Sequence, residues 1–266
     1  MKYLSNAVNF SIKNWMLILP VFVLTAIVSL VSGVGTANLN AITSMFNANM
    51  MSDPGAIMAA LPAIYGAVAG AGVVAFIAKF IYEPATYGLI NKGLETGNSG
   101  LNDIGAAISS NFVKYVMYFI GMLVVSLVSG LAAVLLVILL SLLVAVLKGV
   151  GVFLMVIVMI AVVLFLIALG VLLSMWFTAM VVDGLDVVAA AKKSIEVVKS
   201  CFWTVLGITL LVWLLFAVAG LILKLLLFIP LVGPIIYSVV PAGQYFVMAV
   251  FLLMVYRDKT GRTSAA

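Results

Sequence analysis

Long uninterrupted runs of apolar residues dominate the chain, and the longest covers residues 113–182. Within that run the only charged residues are Lys114 and Lys148. A run of about 18 or more apolar residues predicts a membrane-spanning helix, because about 20 residues at about 1.5 Å each cross a hydrocarbon core of about 30 Å. Backbone polar groups in lipid must bond internally, so helix is the expected form. The run divides at residues 148–151, which contain two glycines, and it therefore predicts a transmembrane hairpin.

Further apolar runs on both sides of the hairpin complete the pattern. Together they predict an all-α fold, a polytopic transmembrane helical bundle with six spans that forms one domain over residues 1–266. The predicted spans are 15–34, 56–81, 113–147, 150–182, 202–228 and 234–256, with a kink in the last at Pro241.

Amphipathic segments precede the first, third and fifth spans, and we expect them to lie at the membrane interface. They cover residues 1–14, 102–112 and 183–200. In the first, the apolar face is Leu4, Val8, Ile12 and Trp15, opposite Lys2, Asn6, Asn9 and Lys13. In the last, the apolar face is Val187, Ala191, Ile195 and Val198, beside a polar arc of Lys192, Lys193, Glu196 and Lys199.

Composition supports a membrane protein and excludes several chemistries. The chain is 67% hydrophobic and 8% charged with a mean hydropathy of +1.39, whereas a globular protein is about 25% charged. Histidine is absent from the sequence, which excludes catalytic triads and metal sites that need imidazole. Cys201 is the single cysteine and cannot form an intrachain disulfide. The sequence predicts a protein that is not an enzyme, with no catalytic residue, no cofactor and no metal site.

The distribution of positive charge predicts the orientation in the membrane. Of the 13 Lys and Arg residues, eleven fall on one side of the predicted spans and two, Lys148 and Lys224, on the other. By the positive-inside rule, both termini are expected in the cytoplasm, with the chain in the cell membrane. This explains the net charge of +5, so nucleic acid is not an expected partner. The eleven are Lys2, Lys13, Lys79, Lys92, Lys114, Lys192, Lys193, Lys199, Arg257, Lys259 and Arg262.

Two features of the first two spans have alternative interpretations. The apolar run 15–34 could belong to a signal peptide cleaved after residues 35–37. It is longer, however, than the apolar core of a signal peptide, which usually has about 7–15 residues. In the second span, Gly66 and Gly70 form a G-x-x-x-G motif that suits either a dimer face or packing within one chain. Alanines recur there every fourth residue, at Ala59, Ala63, Ala67, Ala71 and Ala75.

The chain resembles three copies of one unit: an amphipathic segment, a span, a turn and a second span. Residues 100–102 (Gly-Leu-Asn) and 184–186 (Gly-Leu-Asp) begin the second and third copies. Acidic residues close the second and fourth spans, where they oppose the helix dipole. One hypothesis pairs Glu83 or Asp183 with a cation in a cytoplasmic cluster, the candidates being Lys114, Lys192 and Arg257. Alternatively, Asp183 and Asp186 favour the start of the next helix.

The predicted spans carry few groups for transport or catalysis. No acidic residue falls in the middle of a predicted span, where a proton relay would need one. We expect the main hydroxyls of the hairpin to bond their own helix or a neighbour, namely those of Ser126, Ser129, Ser141, Ser174 and Thr178. A water-filled cavity would favour a transporter if it were lined by Ser174, Thr178, Thr204 or Gln244.

The last third, about residues 175–260, resembles a prokaryotic integral membrane superfamily that includes the membrane domain of some glycerophosphodiester phosphodiesterases. The residues that carry the resemblance are Asp183, Lys192-Lys193-Ser194, Lys199, Leu231-Val232-Gly233-Pro234, Pro241 and Tyr256. The resemblance implies a membrane fold. The phosphodiesterase domain has no counterpart here, so its activity is not implied.

Two functions remain from the sequence. The first is a non-enzymatic integral membrane protein acting through lipid or protein contacts, with membrane lipids and a protein partner or homo-oligomer as the expected partners. The second is a transporter or channel subunit for a small or apolar solute, which the threefold pattern favours.

Overall fold

A computed structural model of the chain describes residues 2–31, 54–229 and 231–262, with side chains for all of these except 54–71. The structure is 91% helical and the described residues form no strand, so the predicted all-α fold is confirmed. The helices are α1 (Lys2–Lys13), α2 (Trp15–Val31, with a 3₁₀ first turn), α3 (Pro54–Thr96), α4 (Ile104–Leu172), α5 (Trp176–Asp183), α6 (Val187–Lys199), α7 (Phe202–Leu223), α8 (Val232–Tyr237) and α9 (Val239–Lys259).

Several long apolar helices fit a multi-pass membrane protein. Four helical runs are long and apolar enough to cross a membrane, and α1 with α2, which meet at 90°, would make a fifth. The four are Gly72–Thr96, Leu101–Asp183, Phe202–Phe228 and Val232–Lys259. The candidate cleavage site, the G-x-x-x-G motif and the alanines up to Ala71 lie outside the described side chains.

Helix α4 contains a reversal of the chain at the predicted turn. Lys148 has φ 47° and ψ −120°, which is not helical. A Cβ added at Gly151 would lie 2.6 Å from the Cα of Val144, yet in a straight helix these two residues would be about 10 Å apart along the axis. The arms before and after Lys148 therefore run back against each other. No side chain larger than hydrogen fits at Gly151 without displacing the first arm.

Helix α3 extends well beyond the predicted end of the second span. The sequence predicted a polar connection from residue 82, but the helix continues to Thr96 and ends at Gly97, where φ is 71°. Pro84 lies inside the helix, where it removes one backbone hydrogen bond. The helix persists because residues 82–87 are all buried against neighbouring elements. The predicted boundary was wrong because tertiary packing outweighs the local effect of the proline.

Helix α4 also begins earlier than the third predicted span. It starts at Ile104 rather than 113, and the segment 102–112 is mostly its first turns rather than a separate helix. The first arm continues as a helix through Gly121. Gly121 allows close packing, since a Cβ there would lie 2.8 Å from the Trp176 ring and 3.0 Å from Val187 Cγ1.

The fourth predicted span, 150–182, is interrupted at residues 173–175. Ser194 of α6 forms hydrogen bonds with backbone groups on both sides of this interruption. Its hydroxyl donates to the Leu172 carbonyl at 2.7 Å and accepts from the Met175 N–H at 3.2 Å. The Trp176 indole N–H donates to the Val187 carbonyl at 2.7 Å. Helix α6 is thereby held against the break.

Helix α6 itself starts at a side-chain cap. Asp186 accepts a hydrogen bond from the Ala189 N–H at 2.8 Å, so the helix-start interpretation is correct for Asp186. Of the predicted apolar face, Val198 is fully buried, whereas the other three members are half-buried. The fully buried positions also include Ala190 and Ser194.

The last run is broken before Pro241 rather than at it. Helix α8 ends at Tyr237 and α9 begins at Val239, which places Pro241 in the first turn of α9. A proline is tolerated there because the first N–H groups of a helix have no partner within it. The predicted kink thus appears as the break at Ser238.

Buried residues concentrate at one end of the bundle, which we call the packed end. It is formed by α1, the last turns of α3, the first turns of α4, α5, α6 and the second half of α9. The most apolar window of Leu101–Asp183 is 0% buried, against 61% for Val232–Lys259. Apolar surface of that extent is stable only when something apolar covers it, and a lipid bilayer would do so.

Replacing Ser194 by alanine tests the role of its hydroxyl at the break. The variant Ser194→Ala leaves the Leu172 carbonyl and the Met175 N–H without partners, and each such group costs about 1–3 kcal/mol when buried. We expect a clearly lower Tm in detergent, measured by tryptophan fluorescence. The matched control is Ser200→Ala, because Ser200 bonds only the Val197 carbonyl of its own helix. Equal Tm values for the two variants would contradict the role of Ser194.

Candidate functional site at the packed end

Glu83 is a buried carboxylate inside a candidate membrane span. It is 8% exposed and lies within Gly72–Thr96, because α3 continues past it. The predicted second span, 56–81, ends two residues before Glu83, whereas the candidate span of the structure contains this residue. Its nearest cation is Lys79, one turn earlier, with Nζ 3.6 Å from Oε1. The Lys79 side chain is 55% exposed, so its charge is well solvated and offsets the buried carboxylate only in part.

Tyrosines from three helices surround Glu83. Tyr82 packs edge to face on Tyr245 with ring centroids 5.2 Å apart, and Tyr87 lies 6.4 Å from Tyr245. The hydroxyls of these three and of Tyr115 are close enough to interact electrostatically with the carboxylate. Tyrosine hydroxyls can donate to a carboxylate without introducing a second charge. Glu83 thus has neutral donors nearby as well as one cation.

Several buried hydroxyls near these tyrosines lack hydrogen-bond partners among the described residues. They are Thr86 Oγ1 on α3, Thr178 Oγ1 on α5 and the Tyr245 hydroxyl on α9. Thr86 and Thr178 are 0% exposed. Buried polar groups are nearly always paired, with ordered water where protein groups do not suffice. The hydroxyls of Thr86, Thr178 and Tyr245 are exceptions to that rule.

Asp183 at the end of α5 ties the C-terminal segment to the bundle. It accepts a hydrogen bond from the Tyr256 hydroxyl at 2.5 Å and forms an ion pair with Arg262 at 2.5 Å. The sequence paired Glu83 or Asp183 with Lys114, Lys192 or Arg257. Glu83 forms an ion pair with Lys79 and Asp183 with Arg262, and Arg257 also interacts electrostatically with Asp183. Asp183 is not the cap of the next helix, a role that Asp186 takes.

A second polar link joins α1 to the end of α9. The Tyr3 hydroxyl donates to Asp258 Oδ2 at 2.5 Å. This hydrogen bond, together with partial burial, raises the pKa of Tyr3 to about 12. Nearby, Arg257 is 4% exposed and donates to Asn91 Oδ1 of α3 at 3.0 Å. The first, third and last helices are thus joined by polar contacts at the packed end.

A cavity of about 320 Å³ lies between the last turns of α3 and the first turns of α4. One wall is tight, since a Cβ at Gly88 would lie 2.7 Å from Asn111 Nδ2. Its charged lining residues are Lys92, Lys114, Glu95 and Asp103. Lys92 and Asp103 form an ion pair at 2.7 Å. We call this space the Lys114 cavity.

The structure does not bring the polar residues singled out for transport into one cavity. Thr178 is fully buried, Ser174 Oγ is buried without a partner, and Thr204 is exposed on α7. Gln244 lines a separate groove of about 420 Å³ between α7 and α9, which also contains Lys224.

Two hydroxyls of the hairpin bond their own helix as predicted, whereas those of Ser174 and Thr178 are buried without a partner among the described residues. Ser129 donates to the Val125 carbonyl at 2.7 Å and Ser141 to the Ile138 carbonyl at 2.7 Å. Both acceptors belong to the same helix as the donor. These hydroxyls therefore contribute no free donors to a site.

Cys201 is the one thiol of the sequence, and it lies between α6 and α7. It is 8% exposed, and burial raises the pKa of its thiol. The thiolate is the reactive form, so this environment disfavours nucleophilic chemistry. Among the described residues, no group of three His, Cys, Asp or Glu side chains is arranged to hold a metal ion.

The sequence analysis missed the tyrosine cluster and the Lys114 cavity. The available signal was the helical spacing of the aromatic and aliphatic side chains in residues 82–94. Pro84 and the polar residues around it made that stretch resemble a loop.

Comparisons with protein-family models, with curated proteins and with solved structures find no match to this chain. The resemblance to the membrane domain of some glycerophosphodiester phosphodiesterases stays a prediction.

Proposed function

We propose that this chain is a non-enzymatic integral membrane protein that acts through contacts with membrane lipids. The observation that carries the proposal is the surface of α1, which lies at 90° to α2. A helix perpendicular to a span runs along the membrane surface, where one side meets acyl chains and the other meets water. A protein partner or a second copy of the chain is the other kind of contact expected.

Helix α1 has three distinct faces. One face packs on the protein, with Ala7 at 0% and Phe10 at 4% exposure. A second face is apolar but exposed, with Ile12 at 67%. The third face is polar. Val8 and Trp15 belong to the second face, and Lys2, Asn6, Asn9 and Lys13 to the third. An exposed apolar face beside a basic polar face suits the boundary between acyl chains and anionic headgroups.

We further propose six spans with both termini in the cytoplasm. The run Leu101–Asp183 would measure about 125 Å as one straight helix, about four times a hydrocarbon core of about 30 Å. Because the chain reverses at Lys148, each of the two arms of this run would cross the membrane once. The four candidate spans, the second arm of α4 and the predicted span 15–34, of which α2 is the described part, give six. The excess of Lys and Arg on one side supports the orientation.

The depth of α1 can be measured with single cysteines, because Cys201→Ser gives a chain without other thiols. In that background, Ile12→Cys and Lys13→Cys place labels at consecutive residues, the first on the exposed apolar face and the second on the polar face. We expect a solvent-sensitive fluorophore at position 12 to be blue-shifted and quenched by brominated lipids in vesicles. The label at position 13 should report water. Labels that both report water would contradict the proposed position of α1.

The side of the membrane on which a residue lies can be tested with single-cysteine variants in the Cys201→Ser background, treated as intact cells with a membrane-impermeant thiol reagent. Lys148→Cys is expected to react directly, because the hairpin turn would lie outside. Lys13→Cys should react only after the membrane is permeabilised. The reverse result would contradict the orientation, and reaction of both in intact cells would contradict the number of crossings between them.

A transporter for a small or apolar solute is the second candidate, and Glu83 is the observation that favours it. Ionisable groups inside spans often mark ion pathways. Such a pathway requires water to reach the carboxylate. The tyrosine rings around Glu83 leave it 8% exposed, which favours a sealed bundle.

Access to Glu83 separates the two candidates. In the Cys201→Ser background, Glu83→Cys in lipid vesicles is expected not to react with a small anionic thiosulfonate. Lys13→Cys serves as the reactive control. Modification at position 83 at a rate comparable to the control would favour the transporter. The Tm of the variant verifies that the bundle is intact.

A further inference from the structure

We infer that the Lys114 cavity holds the phosphate group of one membrane phospholipid, with the acyl chains lying along α4. This inference rests on the proposed function, since it assigns one particular lipid to a protein proposed to act on lipids. It concerns the α3–α4 side of the packed end and does not involve the exposed face of α1.

The cavity has the size of a small ligand site, and polar side chains lie among the apolar residues of its lining. Its volume of about 320 Å³ falls at the lower end of the range of about 300–1,000 Å³ for ligand pockets. Asn111 is 5% exposed and forms part of the wall. The carbonyl of Asn91 accepts from Arg257, which leaves the NH₂ group of Asn91 as a donor without a partner among the described residues. The cavity thus offers donors in addition to its lysines.

The lining of the cavity holds two lysines and two carboxylates, Glu95 and Asp103, and Lys114 is the lysine that forms no ion pair with either. Lys92 is paired with Asp103 at 2.7 Å, and Glu95 interacts electrostatically with the buried Arg257. Lys114 is half-buried, and no carboxylate of the described residues lies within ion-pair distance of it. A partly buried charge without a counter-charge is costly. An anion at Lys114 would remove that cost.

The surface next to Lys114 indicates that the anion belongs to a lipid. An exposed apolar stripe begins at the preceding residue, Val113, which is 68% exposed. It continues at helical spacing through Met117, Ile120 and Val124, which are 48%, 50% and 55% exposed. A free phosphate would use the cavity but not the stripe. A phospholipid uses both, with its phosphate at Lys114 and its acyl chains on α4.

Native mass spectrometry of the full chain, extracted in mild detergent, tests the inference. We expect one phospholipid bound to the unaltered protein and to Lys114→Arg. In Lys114→Gln the ratio of bound to free protein should fall about tenfold, the loss expected for one charged hydrogen bond. The control is Lys192→Gln, an exposed lysine of α6 on the same predicted side, which should retain the lipid.

Three results would overturn the inference. The first is equal lipid retention in Lys114→Gln and the unaltered protein. The second is equal loss in Lys114→Gln and Lys192→Gln, which would indicate general attraction to anionic lipid. The third is a bound mass that corresponds to inorganic phosphate, which would leave the cavity as an anion site without a lipid.

A measurement on the unaltered protein covers the case in which Lys114→Gln does not fold. After delipidation, a short-chain phosphatidylglycerol should raise the Tm, whereas a diacylglycerol with the same chains and no phosphate should not. Equal shifts from both compounds, or no shift from either, would overturn the inference. Lipid contact of the label at Ile12→Cys is independent of this cavity. Its persistence would show that only the inference, and not the proposed function, has failed.

Discussion

The need to satisfy backbone polar groups away from water organises the packed end. At residues 173–175 the long apolar helix is interrupted, and its freed carbonyl and N–H groups lie among apolar side chains. Ser194 bonds both groups, and the Trp176 indole bonds the first turn of α6. These contacts bring α6 against α4 at Gly121. The position of α6 thus follows from the hydrogen-bonding requirement as well as from apolar packing.

The molecule has two zones with different physical character. At the packed end, the buried Glu83 and the half-buried Asp183 have cations or tyrosine hydroxyls nearby. In the arms of α4 the surface is apolar and open, and the most apolar window has no buried residue. Side chains can satisfy polar groups only where several helices meet. The open arms have only apolar atoms to cover, for which lipid is sufficient.

Helical spacing predicted the apolar and polar faces of α1 and α6 but not which face contacts the protein. In α1 the apolar face around Ile12 is exposed, while Ala7 and Phe10 pack inward. In α6 a serine is one of the fully buried residues, because its hydroxyl bonds a neighbouring backbone. A hydrophobicity pattern does not distinguish lipid from protein, since both are apolar. Glu83 lies beyond the end of the predicted second span, and the proline that follows it, Pro84, is a residue that usually marks the end of a helix.

The sequence by itself determined that the chain is helical, that several of its helices are long and apolar enough to span a membrane, and that the longest run reverses at Lys148. These properties depend on local composition and on the length needed to cross a bilayer. Only the tertiary structure decided how far α3 extends, which partners Glu83 and Asp183 have, and where the Lys114 cavity lies. Each of these depends on contacts between residues distant in sequence, and the energies of those contacts outweigh local preferences.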